Sequence, residues 1–224
     1  MKQPPWSYSA LKTFETCPRK YQAEKVTKEV AYTDTDATLF GKEVHKVAED
    51  FLSGRISSIP PKFSFIQPYL SRLQAFPGEK LCELELGVKK EDDRLVACGF
   101  RDPEVWFRGI ADLVILDGDR AWLLDYKTGK SAKYADTRQL ALMAAALFLK
   151  YPELKKIKAS LLFVVSKDFI KENFHAEYGL SIFAELSGLL KHLETAYTTD
   201  TWNPRPNGLC RKFCGVTSCP HYGG

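Results

Sequence analysis

The sequence has no apolar run long enough to cross a membrane and no secretory leader. The expectation is a soluble, cytoplasmic protein whose cysteines stay reduced. Internal repeats and long low-complexity linkers are also missing, which argues against solenoid or tethered-module architectures. At 224 residues, that leaves one domain, 1–224, with a substantial core. Nor is there an excess of one charge. Lys and Arg number 32 against 28 Asp and Glu, for a net charge of +4 and a pI near 8.6. This mildly basic balance is compatible with nucleic acid without requiring it.

The most informative segment is Leu123-Leu124-Asp125-Tyr126-Lys127-Thr128-Gly129. Side chains alternate faces along a strand, so Asp125 and Lys127 point one way and Leu124 and Tyr126 the other. A carboxylate beside a fixed ammonium at a strand end suits metal-dependent phosphodiester chemistry. The acid holds Mg2+ or Mn2+, and the lysine orients water or steadies developing charge.

Upstream, Trp106 to Leu116 reads as a second strand, joined to the first through Asp117-Gly118, a hairpin signal. With an even-numbered loop, Asp112 falls on the face of Asp125 and Lys127. A two-residue loop sets it opposite Asp125 or one pair away. Asp112 stands in an otherwise apolar run, where an uncompensated acid is costly and a metal or basic partner would relieve the cost.

Gly109-Ile110-Ala111-Asp112 followed by Asp125-Tyr126-Lys127-Thr128-Gly129 resembles the core of the PD-(D/E)XK nuclease superfamily, in its RecB-like branch. That branch includes nucleases of CRISPR spacer acquisition and many bacteriophage exonucleases. Further segments match in order. Ser7-Tyr8-Ser9-Ala10-Leu11 and Thr16-Cys17-Pro18 resemble the amino-terminal signature, and Gly41-Lys42-Glu43-Val44-His45 the helix with a metal-binding histidine. Glu83 or Glu85 stands where the family carries an acid on the preceding strand, and Gln139-Leu140 resembles the glutamine motif. The resemblance implies that His45, Asp112, Asp125 and the Tyr126 carbonyl hold the metal, with Lys127 beside the attacking water. Imidazole with carboxylates suits Mn2+ at least as well as Mg2+. Alternation places Glu83 and Glu85 on one face and does not choose between them; the family alignment favours Glu83. Asp136-Thr137-Arg138-Gln139 also fits a capping box with Asp136 as N-cap, whereas the resemblance turns Gln139 toward DNA or the site. Where the family often has tyrosine four residues later, Met143 stands here.

The tail holds Cys210, Cys214 and Cys219, too close for independent disulfides and well spaced to wrap a metal, with Cys17 a distant fourth. Four thiolates can hold a [4Fe-4S] cluster or a tetrahedral zinc. One distant and three clustered cysteines resemble the iron–sulfur members of this branch, which implies a staple joining Cys17 to the 201–224 tail. His221 keeps zinc open as the alternative. Cys82 and Cys98 lie outside the pattern and read as small packing residues.

Periodicity and punctuation predict helices over 7–15, 36–52, 65–76, 137–150 and 176–197, with strands over 81–89, 104–116, 121–127 and 159–166. That order matches an α/β, restriction-endonuclease-like core: a mixed central sheet flanked by helices. The resemblance implies a metal-dependent DNA exonuclease with Mg2+ or Mn2+ and a [4Fe-4S] cluster. It would act on single-stranded or resected ends in phage recombination or DNA processing, in the host cytoplasm if phage-encoded. Recombination or replication proteins are candidate partners. Alternatives are a DNA-binding accessory subunit with a nuclease fold, a zinc-stabilised interaction protein, or an endonuclease. Lys130, Lys133, Arg19 and Lys20 are candidate phosphate contacts, and Trp6, Tyr8 and Phe40 candidate base-stacking residues.

Overall fold

The computed structural model describes residues 3–31, 33–133 and 135–223; the outermost residues of the expected domain, 1, 2 and 224, lie outside them. In chain order the helices are α1 (Tyr8–Thr16), α2 (Pro18–Tyr21), α3 (Asp36–Leu52), α4 (Gln67–Ala75), α5 (Arg138–Lys150), α6 (Ser181–Glu185) and α7 (Ser187–Thr199). The strands are β1 (Glu79–Glu91), β2 (Arg94–Cys98), β3 (Val105–Asp117), β4 (Arg120–Lys127), β5 (Lys156–Phe163) and β6 (Phe169–His175). They group into two compact units: Asp34–Ile182, and the two chain-terminal segments together, Met1–Thr33 with Phe183–Gly224.

The continuous unit is built on a six-stranded sheet in the order β2-β1-β3-β4-β5-β6. Every neighbouring pair is antiparallel except β4 and β5, which run parallel. A parallel pair needs a long crossover, and α5 supplies it. Gly118, at φ +60°, opens the two-residue turn between Asp117 and Arg120, the glycine position of a type II′ hairpin.

One face of the sheet offers Leu113, Ile115, Leu124, Tyr126 and Leu162 to α3, α4 and the 3-10 turn Pro61–Ile66, through Val44, Ala48, Leu52, Phe63, Ile66 and Leu70. Each such aliphatic side chain contributes about 1.5–3 kcal/mol of burial. The helix α3 starts where the sequence indicates it, because Thr35 and Thr38 form a reciprocal cap on each other's backbone N–H. The other face is covered by α5, which packs against every strand. A helix with buried residues all round, Leu140 and Leu142 to Phe148, can lie in that position.

The discontinuous unit holds α1, α2 and α7. Its centre is aromatic: Tyr21 stacks on Trp202 at 5.8 Å and meets Phe14 edge-on at 5.6 Å. The Tyr21 and Tyr197 hydroxyls pair at 3.1 Å, and burial pushes the Tyr21 phenol far above its ordinary pKa. Ser7 caps α1 by accepting the Ala10 N–H at 3.3 Å.

The sequence expectations differ from this fold at the sheet edges. The strand β2 is new: the acidic turn at Asp92 and Asp93, with Asp92 at φ +51°, reads as a loop but closes a tight hairpin. The strand expected over 159–166 runs Lys156–Phe163, and β6 follows a turn with Lys167 at φ +64°. The helix expected over 176–197 is broken into a 3-10 turn (Ala176–Tyr178), α6 and α7. Gly179 marks one break, where a Cβ would overlap the Phe148 ring.

Gly78 enters β1 at φ +107°, with the Leu116 carbonyl oxygen where a Cβ would stand. Neither the conformation nor the space admits a side chain. Gly78→Ala is expected to lower unfolding stability by about 1–3 kcal/mol, read from urea denaturation; a change within error would show that this turn relaxes freely.

Candidate active site

The site forms where the β3–β4 ladder opens. Its last pair is Leu113 with Leu124, so Asp112 and Asp125 are the next positions in register, facing one another. Instead of continuing the ladder, the Asp112 carboxylate takes over a backbone partner: Oδ2 accepts the Tyr126 N–H at 2.7 Å. His45, on α3, points at the same opening. Its Nε2 lies 3.1 Å from the Tyr126 carbonyl oxygen and its Nδ1 3.4 Å from Asp112 Oδ1. The Tyr126 ring packs into the core and meets the imidazole edge-on at 5.9 Å.

The third carboxylate comes from β1. Cys82 pairs with Leu113 and Leu84 with Ala111, which leaves Glu83 opposite Asp112. Glu83 breaks the ladder there, at φ +49°. A non-glycine residue in this left-handed region costs on the order of 1–3 kcal/mol and persists where its surroundings dictate it. The distortion brings Glu83 into a ligand group with His45 and Asp112, whose donor atoms all lie within 4.8 Å of one another. Glu85, two residues on, is exposed and outside this group. Alternation alone could not separate the two acids; the backbone kink does. Glu83 also lines a cleft of about 620 Å3 shared with Glu49, Arg55, Lys80, Glu85 and Lys150. No sequence pattern marked Arg55, Lys80 or Lys150 as its walls.

On the α5 side, Lys127 Nζ lies 2.5 Å from Asp125 Oδ2 and donates to Gln139 Oε1 at 3.0 Å. Gln139 Nε2 donates to Asp125 Oδ1 at 2.5 Å. The three side chains close a ring that fixes carboxylate and ammonium together. The capping-box expectation for Gln139 is therefore corrected. Thr137 occupies the N-cap without a side-chain cap, and Asp136 instead grips the Arg138 guanidinium at 2.7 Å. Burial already holds Gln139 beside two charges, and an amide that can both donate and accept is worth more there than at a helix end. Met143 lies over Gly109, where a Cβ would overlap its thioether; the glycine of the Gly-x-Ala-Asp motif lets α5 come close.

The electrostatics are those of closely spaced carboxylates. Asp125 is 7% exposed, and burial, then the neighbouring Asp112, push its carboxyl up to about 6 against the pull of Lys127. Burial and Asp112 likewise raise Glu83. At His45 burial works downward, yet Asp112, Asp125 and Glu83 outweigh it and the net shift is upward. Asp125 Oδ2, although close to Lys127, has no donor directed at it in hydrogen-bond geometry. Imidazole, carboxylates and a carbonyl oxygen suit Mg2+ or Mn2+ in donor type.

The sequence profile of the PD-(D/E)XK nuclease superfamily matches residues 5–220. The chain belongs to that superfamily. Its restriction-endonuclease-like fold accords with the mixed sheet and its flanking helices, and membership supports a nuclease function. PD-(D/E)XK nucleases generally use Mg2+ or Mn2+, in keeping with the acidic group around His45. Among solved structures, a protein from Eubacterium rectale described as a putative exonuclease is similar, with a TM-score of 0.55 and 11% identity over 93% of this chain and 86% of that one. Another, SSO0001, aligns over 99% of this chain and 88% of its own at 14% identity, with a TM-score of 0.49. At 11% identity the similarity to the Eubacterium rectale protein speaks to fold alone. No curated protein gives a significant match.

In the discontinuous unit, Cys17, Cys210, Cys214 and Cys219 line one small cavity, with His221 also in its wall. The Arg205 backbone N–H donates to Cys17 Sγ at 3.3 Å and that of Asn207 to Cys210 Sγ at 3.5 Å. Cys82 and Cys98 are free thiols elsewhere, with pKa raised chiefly by burial. Of the other sequence candidates, Trp6 is 1% exposed and packs edge-on against Phe183, so it is a core residue and unavailable to bases. Phe40 stacks on Phe63 and Phe65. Tyr8 lies beside Lys12, its hydroxyl accepting from Nζ at 3.3 Å. Arg19 is held by Glu29 at 2.6 Å and Lys20 lies 3.7 Å from Glu24, while Lys130 and Lys133 are exposed on the segment after β4.

The kink at Glu83 yields a separable prediction. Glu83→Gly removes a carboxylate but suits the left-handed backbone. The variant is expected to melt at the wild-type temperature or above it, while Mn2+ affinity, measured by calorimetry, falls about 10-fold or more. A large loss of stability would mean that Glu83 holds the strand rather than a cation.

Proposed function

We propose that this nuclease is a metal-dependent DNA exonuclease acting on single-stranded or resected ends. The observation that carries this is the grouping of His45, Glu83 and Asp112 at the opened β3–β4 ladder, with Asp125 opposite Asp112 in register and Lys127 locked beside Asp125 by Gln139. His45, Asp112, Asp125 and the Tyr126 carbonyl would hold Mg2+ or Mn2+, with Glu83 completing the acidic set. The bound ion would supply Lewis-acid polarisation of the scissile phosphate.

The chain's own groups account for the rest. The Lys127 ammonium, fixed from two sides, orients the attacking water and balances charge on the phosphate as it grows. Gln139 is a positioning residue that holds Asp125 and Lys127 in one arrangement. The Asp112 bond to the Tyr126 N–H aims the Tyr126 carbonyl at the ligand group. Displacement proceeds in line by water and requires no covalent enzyme intermediate.

We further assign Cys17, Cys210, Cys214 and Cys219 to a [4Fe-4S] cluster. Two backbone N–H groups already donate to their sulfurs, as thiolates favour. The cluster would staple Cys17 to the tail. An exonuclease of this kind fits recombination or end processing, including in a phage setting.

Asp125→Ala is expected to fold and to lose metal-dependent trimming of end-labelled DNA by more than the roughly 10–100-fold typical of outer-shell changes. Near wild-type activity would reject the site. Cleavage of closed circular DNA by the wild type would convert the assignment to endonuclease. No cleavage of any DNA by folded, metal-replete wild type would leave a DNA-binding accessory subunit.

Cys214→Ala, purified without oxygen, is expected to lose its bound iron and brown colour and to melt lower; full iron content with unchanged stability would refute the cluster. Zinc in the wild type at one ion per chain would replace it with the tetrahedral alternative.

A further inference from the structure

The sheet carries a second feature that the nuclease chemistry does not use. Trp122, Leu124 and Tyr126 alternate with Asp125 and Lys127, so they lie on the α3–α4 side. Toward β6 this face is open. A groove of about 420 Å3 runs there, floored by Ile115, Trp122 and Leu124 and walled by Leu73 and Phe76 of the α4 region. Trp122 meets Phe76 at 4.6 Å, and Phe169, at the β6 edge, is 44% exposed.

The register fills the open side of this face with cations. Across β4, β5 and β6, Arg120 neighbours Lys156 and then His175; Trp122 neighbours Lys158 and then Asn173; Leu124 neighbours Ser160 and then Lys171. Like charges side by side on neighbouring strands are destabilising. Here Arg120 adjoins Lys156, and Lys171 is diagonal to Lys158. Among the described residues, Lys156, Lys158 and Lys171 have no carboxylate within 4.0 Å. Glu172 is the acidic member of the groove lining. Lys171 Nζ lies 5.0 Å over the Phe169 ring, which couples a cation to an exposed aromatic face.

We propose that this groove is a second contact for the DNA substrate, holding an unpaired segment with bases against Trp122 and Phe169 and phosphates on Lys158 and Lys171. Interleaved aromatics and cations on an apolar floor are what a flexible single strand needs: stacking that tolerates any base, and charge along the backbone. The groove lies on the sheet face opposite the Asp125 and Lys127 side chains. Trp122 is four residues along β4 from Tyr126, about 13 Å, so a strand held there is gripped away from the reacting phosphate. The inference rests on the proposed DNA substrate, and its test is kept apart from catalysis.

The test measures fluorescence anisotropy of labelled oligothymidylate with full-length Asp125→Ala protein, alone and combined with Lys158→Glu and Lys171→Glu. Both lysines are exposed. The triple variant is expected to bind at least tenfold more weakly. The slope of log affinity against log salt should fall by about 1.4, two phosphates at roughly 0.7 each. Phe169→Ala in the same background should weaken binding with the slope unchanged. Equal affinity and slope in all variants would overturn the groove, even if the wild type digests DNA. Loss of binding to an acidic peptide with DNA binding intact would also overturn it, in favour of an acidic protein partner. Failure of the wild type to cleave DNA, with the lysine-dependent binding present, would sink the nuclease reading and leave the groove standing.

Discussion

Three carboxylates are forced together where the sheet opens, and much of the site's architecture answers that repulsion. In this partly desolvated pocket, burial and the neighbouring Asp112 push the carboxyls of Asp125 and Glu83 upward. The protein brings partners to them from two directions, the His45 imidazole through α3 and the Lys127 ammonium through the strand itself. A fold built only for stability would replace such a cluster by apolar side chains, since buried charge rarely offsets its own desolvation. Its retention, together with a left-handed Glu83, marks the region as shaped for a ligand.

The same constraint explains how the layers are divided. The face of β3 and β4 that meets α3 is apolar, both aliphatic and aromatic, and Val44 and Ala48 in α3 flank His45 like bolts. The imidazole is therefore placed by packing rather than by its polar partners. On the other side, α5 approaches closely enough for Gln139 to reach both charged residues, helped by the absence of a side chain at Gly109. Position is set by the rigid layers and chemistry by what projects between them.

Much of this was legible from the chain. Asp112, Asp125 and Lys127 could be grouped because strand alternation and a two-residue turn fix their relation, and α3 could be bounded at Asp36 and Leu52 because its apolar stripe is regular. The edge strands β2 and β6 were not legible. Their residues mix charge with short apolar runs, and only pairing with a neighbour makes them strands. The choice of Glu83 over Glu85 was invisible to periodicity because it rests on one anomalous φ. Gln139 stayed open between a cap and a site residue because a local rule competed with a tertiary partner 14 residues away, and the buried partner won. The single apolar stretch expected over 176–197 carries helical spacing throughout, yet packing at Gly179 interrupts it.

The unit Asp34–Ile182 is one uninterrupted stretch, while its companion is assembled from both ends of the chain. During synthesis the first 33 residues therefore emerge without most of their partners. At ribosomal speeds they wait on the order of 10 s while the sheet is made. Throughout that interval the Cys17 thiol is separated from the other three, and a cofactor that needs all four can be installed only after the tail has left the ribosome. Topology alone thus leaves the sheet free to form first and the discontinuous unit to close last.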